Sequence, residues 1–268
     1  MIHILAILLY LGAFVLWVRA LLGDRSDRDA RSASWVATAG VAAHLAALVV
    51  FTLRYGELPL SGLAPSLSTL GLITGLGLLA ARGLGEGGRL GILLLPLMLG
   101  LEGTAVFLGM EPAPGDLDFD GAWFALHVTL ALAAISTMAV SGAAGVLYLI
   151  QHRQLKDKRL GRLFRFAPPL ATLGRIGRTT AVTALVMLTL ALTLGWAWTV
   201  RFRGSFQGQD PKTVWSVFIW GVIVAAVLAW RGRGAADRRG AVASVVGFVL
   251  IVASYLLLRV AVGGGLFL

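Results

Sequence analysis

The sequence predicts an all-α integral membrane protein, with about eight transmembrane helices packed as a single domain over residues 1–268. Two observations support this fold class. Hydrophobic residues make up 58% of the chain and charged residues only 13%, whereas a soluble domain has about 25% charged residues. The apolar residues also occur in long runs, and about 20 consecutive apolar residues suffice for a helix to cross a bilayer.

The predicted spans, in chain order, cover approximately residues 2–22, 35–54, 66–82, 90–110, 122–150, 180–200, 214–230 and 241–262. Lipid offers no hydrogen-bond partners to the backbone, so segments of this length must be helical. The first span has a longer apolar stretch than a signal peptide and lacks its basic leader, so we expect it to be retained as a helix of the bundle.

The positions of the basic residues predict the orientation. Of the 23 Lys and Arg residues, 18 lie in the alternate connections 19–34, 82–89, 153–178 and 231–239. The positive-inside rule places these connections in the cytoplasm and both termini on the external, periplasmic side of a bacterial cytoplasmic (inner) membrane. The net charge of +10 therefore indicates topology and attraction to anionic lipid at the cytoplasmic face. We expect no nucleic-acid partner.

The longest cytoplasmic connection contains a basic segment, residues 158–166, in which apolar side chains alternate with cations. This pattern fits either a short amphipathic helix at the lipid headgroups or a solvated loop. The chain has no cysteine, which excludes disulfides, thiolate metal sites and thioether links to a cofactor.

Ionisable residues inside a span are candidates for function because burying them in lipid is costly. His44 lies in mid-span among small apolar residues, and it is either hydrogen-bonded to a neighbouring helix or a buried ligand. Glu102 lies within the fourth span, and we expect it to pair with a polar group across the bundle. We expect His3 on the surface at the outer end of the first span.

A tryptophan and a histidine stand together near the external end of the fifth span. Trp123 and His127 are four residues apart, so they project from the same helix face. An aromatic ring beside an imidazole suits a flat, apolar ligand that contains a metal. The alternative is an aromatic-belt tryptophan beside an incidental histidine.

The external connection over residues 201–213 favours the ligand. Arg201, Arg203 and Lys212 lie on the external side, against the charge rule, and aromatic residues surround them: Trp196, Trp198, Phe202, Phe206, Trp215 and Trp220. Aromatic rings can stack on a porphyrin, and cations can form charge-assisted hydrogen bonds with its two propionates. A neutral histidine can supply a ligand to the iron. The alternative is a loop that anchors to lipid headgroups.

The same connection resembles the tryptophan-rich external loop of the cytochrome c assembly family of CcsA, ResC and HemX type. Gly204, Ser205, Asp210, Pro211, Lys212 and Trp215 match the family pattern, and Trp-x-x-x-His at 123–127 and Pro-Pro-Leu-Ala-Thr-Leu-Gly-Arg at 168–175 agree with it. The chain departs from the family at Gln207 and Gln209, which replace the two loop tryptophans, and at Phe267, which replaces a second external histidine. It is therefore identified as a divergent member.

The resemblance implies a protein that binds b-type heme non-covalently and transiently, and presents it at the outer membrane face during c-type cytochrome biogenesis. It implies His127 and His44 as iron ligands, with further heme contacts from Trp123, Asp210, Lys212 and Trp215. The pattern of cations and aromatic residues adds Arg201 and Arg203 to the expected heme contacts. The expected partner is a second membrane protein that holds the apocytochrome and supplies the thiol chemistry. The chain itself is then not an enzyme, and at most the heme-presenting subunit of a cytochrome c synthase complex.

Two alternatives remain open at this point. One is a HemX-like membrane regulator of tetrapyrrole and heme synthesis, which would act through the basic cytoplasmic connection. The other is a small-molecule membrane transporter in which Glu102 and His44 relay protons.

The charge pattern makes a testable prediction about topology. Reporters fused after Arg31, Lys158 or Arg233 should report a cytoplasmic location, and reporters in 111–121 or 204–211 an external one, because the alternate connections hold most of the cations. Paired alkaline phosphatase and green fluorescent protein fusions measure this. An external signal at Lys158 would invert the orientation.

Overall fold

The computed structural model describes residues 1–23, 26–83, 86–112, 121–158, 161–203, 210–231 and 235–262. Within these ranges the regular structure is helical, with no strand. The α-helices are α1 (Ile2–Leu22), α2 (Ser26–Tyr55), α3 (Leu63–Arg82), α4 (Gly91–Leu108), α5 (Ala122–Lys156), α6 (Arg162–Phe166), α7 (Leu170–Arg203), α8 (Pro211–Ala229) and α9 (Ala235–Val262). A short 3-10 helix, Glu86–Leu90, precedes α4. The predicted all-α bundle is confirmed.

The long helices have the length and composition of membrane spans. Seven of those in the described ranges are long and apolar enough to cross a membrane, and α8 contains a shorter apolar stretch, Thr213–Ala229. Large apolar side chains face outward, as Leu8 on α1 and Val249 on α9 do. Lipid is the environment that such a surface requires. The chain is thus a multi-pass membrane protein.

Several helices extend beyond the apolar runs that predicted them. α2 begins at Ser26 and α7 at Leu170, nine and ten residues before the predicted spans at 35 and 180. These extensions contain basic and polar residues. An apolar run marks the part of a helix that lies in hydrocarbon, and the helix continues past it into the headgroup layer.

Cross-helix hydrogen bonds bring one set of helix ends together. The beginnings of α1, α3, α5 and α8 lie at the same end of the bundle as the later parts of α2, α4, α7 and α9. The charge pattern predicts that this end is external, and we call it the outer end.

Small residues allow the helices to approach closely, as is common in membranes. One face of α1 is buried against α2 and α4, and its buried residues are Ala6, Tyr10, Ala13, Trp17 and Ala20. The central helix is α5, which packs against α3, α7 and α9 through a surface rich in Ala, Gly and Ser. The Thr74 hydroxyl donates to Ser136 Oγ (3.2 Å) across the contact between α3 and α5.

The basic cytoplasmic segment folds back onto the bundle. Its last residues form α6, and the buried Phe166 ring packs edge-on against Trp17, with 5.8 Å between ring centroids. The Arg89 guanidinium donates to the Phe166 carbonyl. The end of this segment is therefore neither a solvated loop nor a helix lying free on the headgroups. Residues 159 and 160 lie outside the described ranges.

A buried tryptophan joins three helices at the opposite, inner end. Trp230, which follows α8, donates from Nε1 to Ser244 Oγ on α9 (2.9 Å). The Ser141 hydroxyl on α5 lies 2.8 Å from Ser244 Oγ and donates to the Gly177 carbonyl on α7 (2.8 Å). The indole ring fits only because residues 177 and 240 are glycines, since a Cβ at either position would overlap it.

This packing predicts that Gly240→Ala destabilises the protein. The added methyl would meet the body of the Trp230 ring, and overpacking of this kind costs about 1–3 kcal/mol. Thermal unfolding in detergent measures the effect. The matched control is Gly221→Ala, where a Cβ meets nothing within 4 Å. Equal unfolding temperatures for the two variants would contradict this description of the inner end.

Candidate functional site

Trp123 and His127 join α5 to α7 at the outer end. Trp123 Nε1 donates to the Leu194 carbonyl (3.0 Å), and His127 Nδ1 donates to the Ala191 carbonyl (2.8 Å). Both side chains therefore face the same neighbouring helix, as their spacing predicts. The two accepting carbonyls, of Ala191 and Leu194, lie about one turn apart on α7. The two hydrogen bonds together therefore fix the start of α5 against the last turns of α7.

The hydrogen bond of His127 determines which ring nitrogen holds the proton. A carbonyl oxygen only accepts hydrogen bonds, so Nδ1 must carry the hydrogen that it donates to Ala191. In the neutral ring the lone pair then lies on Nε2. Metal-binding histidines have this arrangement, because a second bond to a carbonyl orients the ring and makes the other nitrogen a better ligand.

A glycine on α7 makes room for this imidazole. A Cβ at residue 195 would lie 2.8 Å from His127 Cε1 and 3.1 Å from Nδ1. Because real Cβ atoms do not approach that closely, any larger residue would displace the ring. Gly195 thus positions His127, a role that the sequence alone did not reveal.

Further aromatic side chains lie on α7 and α8, and a cation lies near the outer end of α7. Trp196 is more than half exposed and Trp198 is half-buried on the last turns of α7, where the exposed Arg201 follows. Trp220 on α8 donates from Nε1 to Thr189 Oγ1 on α7 (3.0 Å). The outer end of α7 therefore combines indole rings with positive charge.

The Asp-Pro-Lys-x-x-Trp motif forms the start of α8. Asp210 precedes the helix, and its carbonyl accepts the first turn's hydrogen bond from the Val214 N–H (3.0 Å). Pro211 occupies the first helical position, where the missing N–H has no cost. Trp215 donates from Nε1 to Ser254 Oγ on α9 (3.0 Å), so this residue of the motif ties α8 to α9.

Part of the predicted heme loop lies outside the described residues. This applies to residues 204–209, which include Gln207 and Gln209, to Phe267, and to the side chains of Arg203 and Lys212. Their predicted roles remain predictions.

A second polar cluster lies among α1 to α4, and it surrounds the buried carboxylate of Glu102. His3 Nδ1 lies 2.6 Å from Glu102 Oε1, and His44 Nε2 lies 2.9 Å from Glu102 Oε2. The Ser68 hydroxyl donates to Glu102 Oε2 (2.7 Å). The side chains of Glu102 and His44 are fully buried. As expected, Glu102 pairs across the bundle, and four helices supply the cluster.

The two nitrogens of His44 are both engaged in this cluster. The Tyr10 hydroxyl lies 3.1 Å from His44 Nδ1, and His44 Nε2 lies 2.9 Å from Ser68 Oγ as well as from Glu102. His44 offers iron no free nitrogen in this arrangement, and the heme site proposed below does not include it. No group of three His, Cys, Asp or Glu side chains in the described ranges is arranged to hold a metal ion.

His3, Tyr10 and Ser68 are members that the sequence analysis missed. His3 was expected on the surface, which is wrong, because its side chain is only 18% exposed and contacts Glu102. The helical spacing could have indicated His3 and Tyr10, because His3 lies on the same face of α1 as the buried residues Ala6, Tyr10 and Ala13. Ser68 has no such signal, because a serine in a membrane helix is common.

Sequence comparison relates the whole chain to one family. The profile of the family described as "Cytochrome C assembly protein" matches residues 1–264. An uncharacterized 28.8 kDa protein of Azospirillum brasilense is 28% identical over 170 residues, 62% of each chain. The cytochrome c biogenesis protein CcsA of a Synechococcus strain is 25% identical over 155 residues, 50% of this chain and 51% of that protein.

A shorter match involves the cytochrome c biogenesis protein CcsA of Gloeobacter violaceus, which is 34% identical over 70 residues, 26% of this chain and 21% of that protein. The matched segments thus span about half the length of the Synechococcus protein and less than two thirds of the Azospirillum protein. The family match, in contrast, covers nearly the full chain. The protein therefore belongs to the cytochrome c assembly protein family.

Proposed function

We propose that this protein handles heme in c-type cytochrome biogenesis, binding it transiently and presenting it at the outer face of the cytoplasmic membrane. Membership of the cytochrome c assembly family supports the process, and relatives named cytochrome c biogenesis protein CcsA agree with it. The geometry of His127 supports heme as the ligand, and the positions of the cations support the outer face.

The observation that carries the proposal is the hydrogen bond from His127 Nδ1 to the Ala191 carbonyl. It fixes the neutral tautomer with its lone pair on Nε2, which is the donor that heme iron takes from histidine. The ring is half-buried at the outer end. A ligand there can be exchanged with a partner, because it is not enclosed by the bundle.

Heme, when bound, would supply two propionate groups and an iron atom that takes nitrogen ligands. His127 would ligate the iron, and Trp123, held by its bond to the Leu194 carbonyl, would contact the porphyrin. Arg201, Arg203 and Lys212 would hold the propionates by charge-assisted hydrogen bonds. Asp210 and Trp215 would act by setting the start of α8, which positions Lys212.

The proposed role is binding and presentation, without catalysis by this chain. The chain has no cysteine, so a second membrane protein would hold the apocytochrome and supply the thiols that attach heme. Anionic lipid would contact the basic inner end, where 18 of the 23 cations are predicted to lie.

The first test is the absorption spectrum of the purified protein. His127→Ala should lower the heme-to-protein ratio by about tenfold or more, the change that about 1.4 kcal/mol of lost ligation produces. Added imidazole should restore heme to His127→Gly, because it can occupy the vacated ligand position. His152→Ala removes a histidine stacked on Tyr148 on the same helix and should leave heme content unchanged. Equal heme loss in the His127 and His152 variants would contradict the assignment.

Gly195→Ala tests the positioning of the same ring without removing the ligand. The methyl should displace His127, because it would lie 2.8 Å from Cε1. The heme absorption maximum should shift and heme content should fall, while the protein remains folded. Gly103→Ala on α4, where a Cβ meets nothing within 4 Å, is the control and should keep the wild-type spectrum.

The loop cations give a separate prediction. Replacing Arg201, Arg203 and Lys212 together by Gln should lower heme retention by more than about tenfold, because each charge-assisted bond contributes roughly 1.5–3 kcal/mol. Pyridine hemochrome assay of heme per protein measures this. The 18 inner cations should preserve topology in the variant. An unchanged heme-to-protein ratio would assign these cations to lipid headgroups instead.

A further inference from the structure

The heme proposal leaves the buried cluster around Glu102 unused. We propose that His3, Glu102, His44 and Tyr10 form a proton-binding site that is loaded from the outer end of the bundle. This inference does not depend on heme, because none of the four residues belongs to the heme site proposed above.

The composition of the cluster is the first argument. Two titratable groups contact Glu102, His3 from α1 and His44 from α2, and α3 contributes the Ser68 hydroxyl. Tyr10 from α1 contacts His44 on its other nitrogen. In the described ranges no Lys or Arg forms an ion pair with Glu102. A structural ion pair made with arginine has a fixed charge. Here the number of bound protons alone sets the net charge.

Burial then dictates how many protons the cluster holds. With Glu102 as carboxylate and both histidines neutral, the cluster would have a net charge of −1 in a fully buried position. One additional proton makes it neutral, and apolar surroundings favour the neutral state because isolated buried charge is expensive. The cluster therefore stores one proton.

The hydrogen bonds locate that proton between His3 and Glu102. Ser68 donates its hydroxyl hydrogen to Glu102, so His44 Nε2, which faces Ser68 Oγ and Glu102, must carry a hydrogen. In a neutral His44 ring, Nδ1 then accepts from the Tyr10 hydroxyl, so His44 can hold the carboxylate without a second proton. His3 Nδ1 and Glu102 Oε1 are 2.6 Å apart, the short distance of a charge-assisted hydrogen bond.

Loading starts from a neutral His3 that carries its hydrogen on Nδ1. Nε2 takes a proton from water at the outer end, as histidine proton shuttles do. The N–H bond at Nδ1 then breaks and an O–H bond forms at Glu102 Oε1, while Nδ1 keeps the electron pair. The His3 side chain is 18% exposed, whereas those of Glu102 and His44 are fully buried. His3 is thus the entry.

The inner side of the cluster is closed. Tyr10 is fully buried, and the space beside its hydroxyl at Gly75 is occupied by Met98 and Val41: a Cβ there would lie 2.8 Å from Met98 Cε and Val41 Cγ2. Apolar groups cannot pass a proton onward. The site therefore exchanges protons with the outer end only, which distinguishes a proton store from a path across the membrane.

The test uses the full-length protein in oriented proteoliposomes with separate control of pH on each side. The pH on one side is stepped between about 5 and 10, which covers the ordinary titration range of histidine and tyrosine. Infrared difference spectroscopy follows the carboxyl band that disappears in Glu102→Gln. We expect the band to respond to the pH at the outer end and not to the pH at the inner end.

Two variants identify the entry. His3→Asn keeps a donor for Glu102 but cannot carry a proton, so the response should slow by about tenfold or more, as when a general acid–base group is removed. His152→Ala, a histidine outside the cluster, should keep the wild-type rate. Thermal unfolding verifies that each variant is folded.

Any of three results would overturn the proposal: a Glu102 band that responds to neither side, a band that responds equally to the inner side, or a wild-type rate in His3→Asn. The first would make the cluster a fixed ion pair that ties α1 to α4. A heme-free wild type that still responds from the outer end would support the proton site even if the heme proposal failed.

Discussion

Lipid offers no hydrogen-bond partners, so the ionisable side chains and the buried tryptophan inside this bundle bond to groups on neighbouring helices, and these bonds fix the chemistry of the interior. His127 donates to a carbonyl of α7, Glu102 draws groups from α1, α2 and α3, and Trp230 bonds to α9. These bonds set which helices meet. For the histidines they also set which nitrogen carries the proton.

The same requirement leads to opposite consequences for His127 and His44. Within the described part of the chain, His127 bonds to one backbone carbonyl through Nδ1, which leaves a lone pair on Nε2 of the neutral ring at the outer end. His44 has partners on both nitrogens and is fully buried. The first arrangement suits a metal ligand, and the second suits a residue that holds a buried carboxylate in place. A shared residue type therefore does not imply a shared role.

The sequence predicted the helical bundle because long apolar runs have one physical solution in lipid. It also predicted that Trp123 and His127 share a face, and that Glu102 pairs across the bundle, since both follow from local spacing or from the cost of burial. It did not predict the partners, because Ser68 and Tyr10 meet His44 only through the packing of α1, α2 and α3. Gly195 likewise acquires its role only when α7 packs against His127.

The proposed function depends on ligation of heme iron by His127 Nε2 at the outer end. Pulsed electron paramagnetic resonance of the ferric protein, prepared with 15N-labelled histidine, measures this ligation because it detects a labelled nitrogen bound to the iron. We predict a histidine coupling in the wild type that disappears in His127→Ala and persists in His152→Ala. A coupling that persists in His127→Ala, or a wild-type iron without any histidine coupling, would contradict the account.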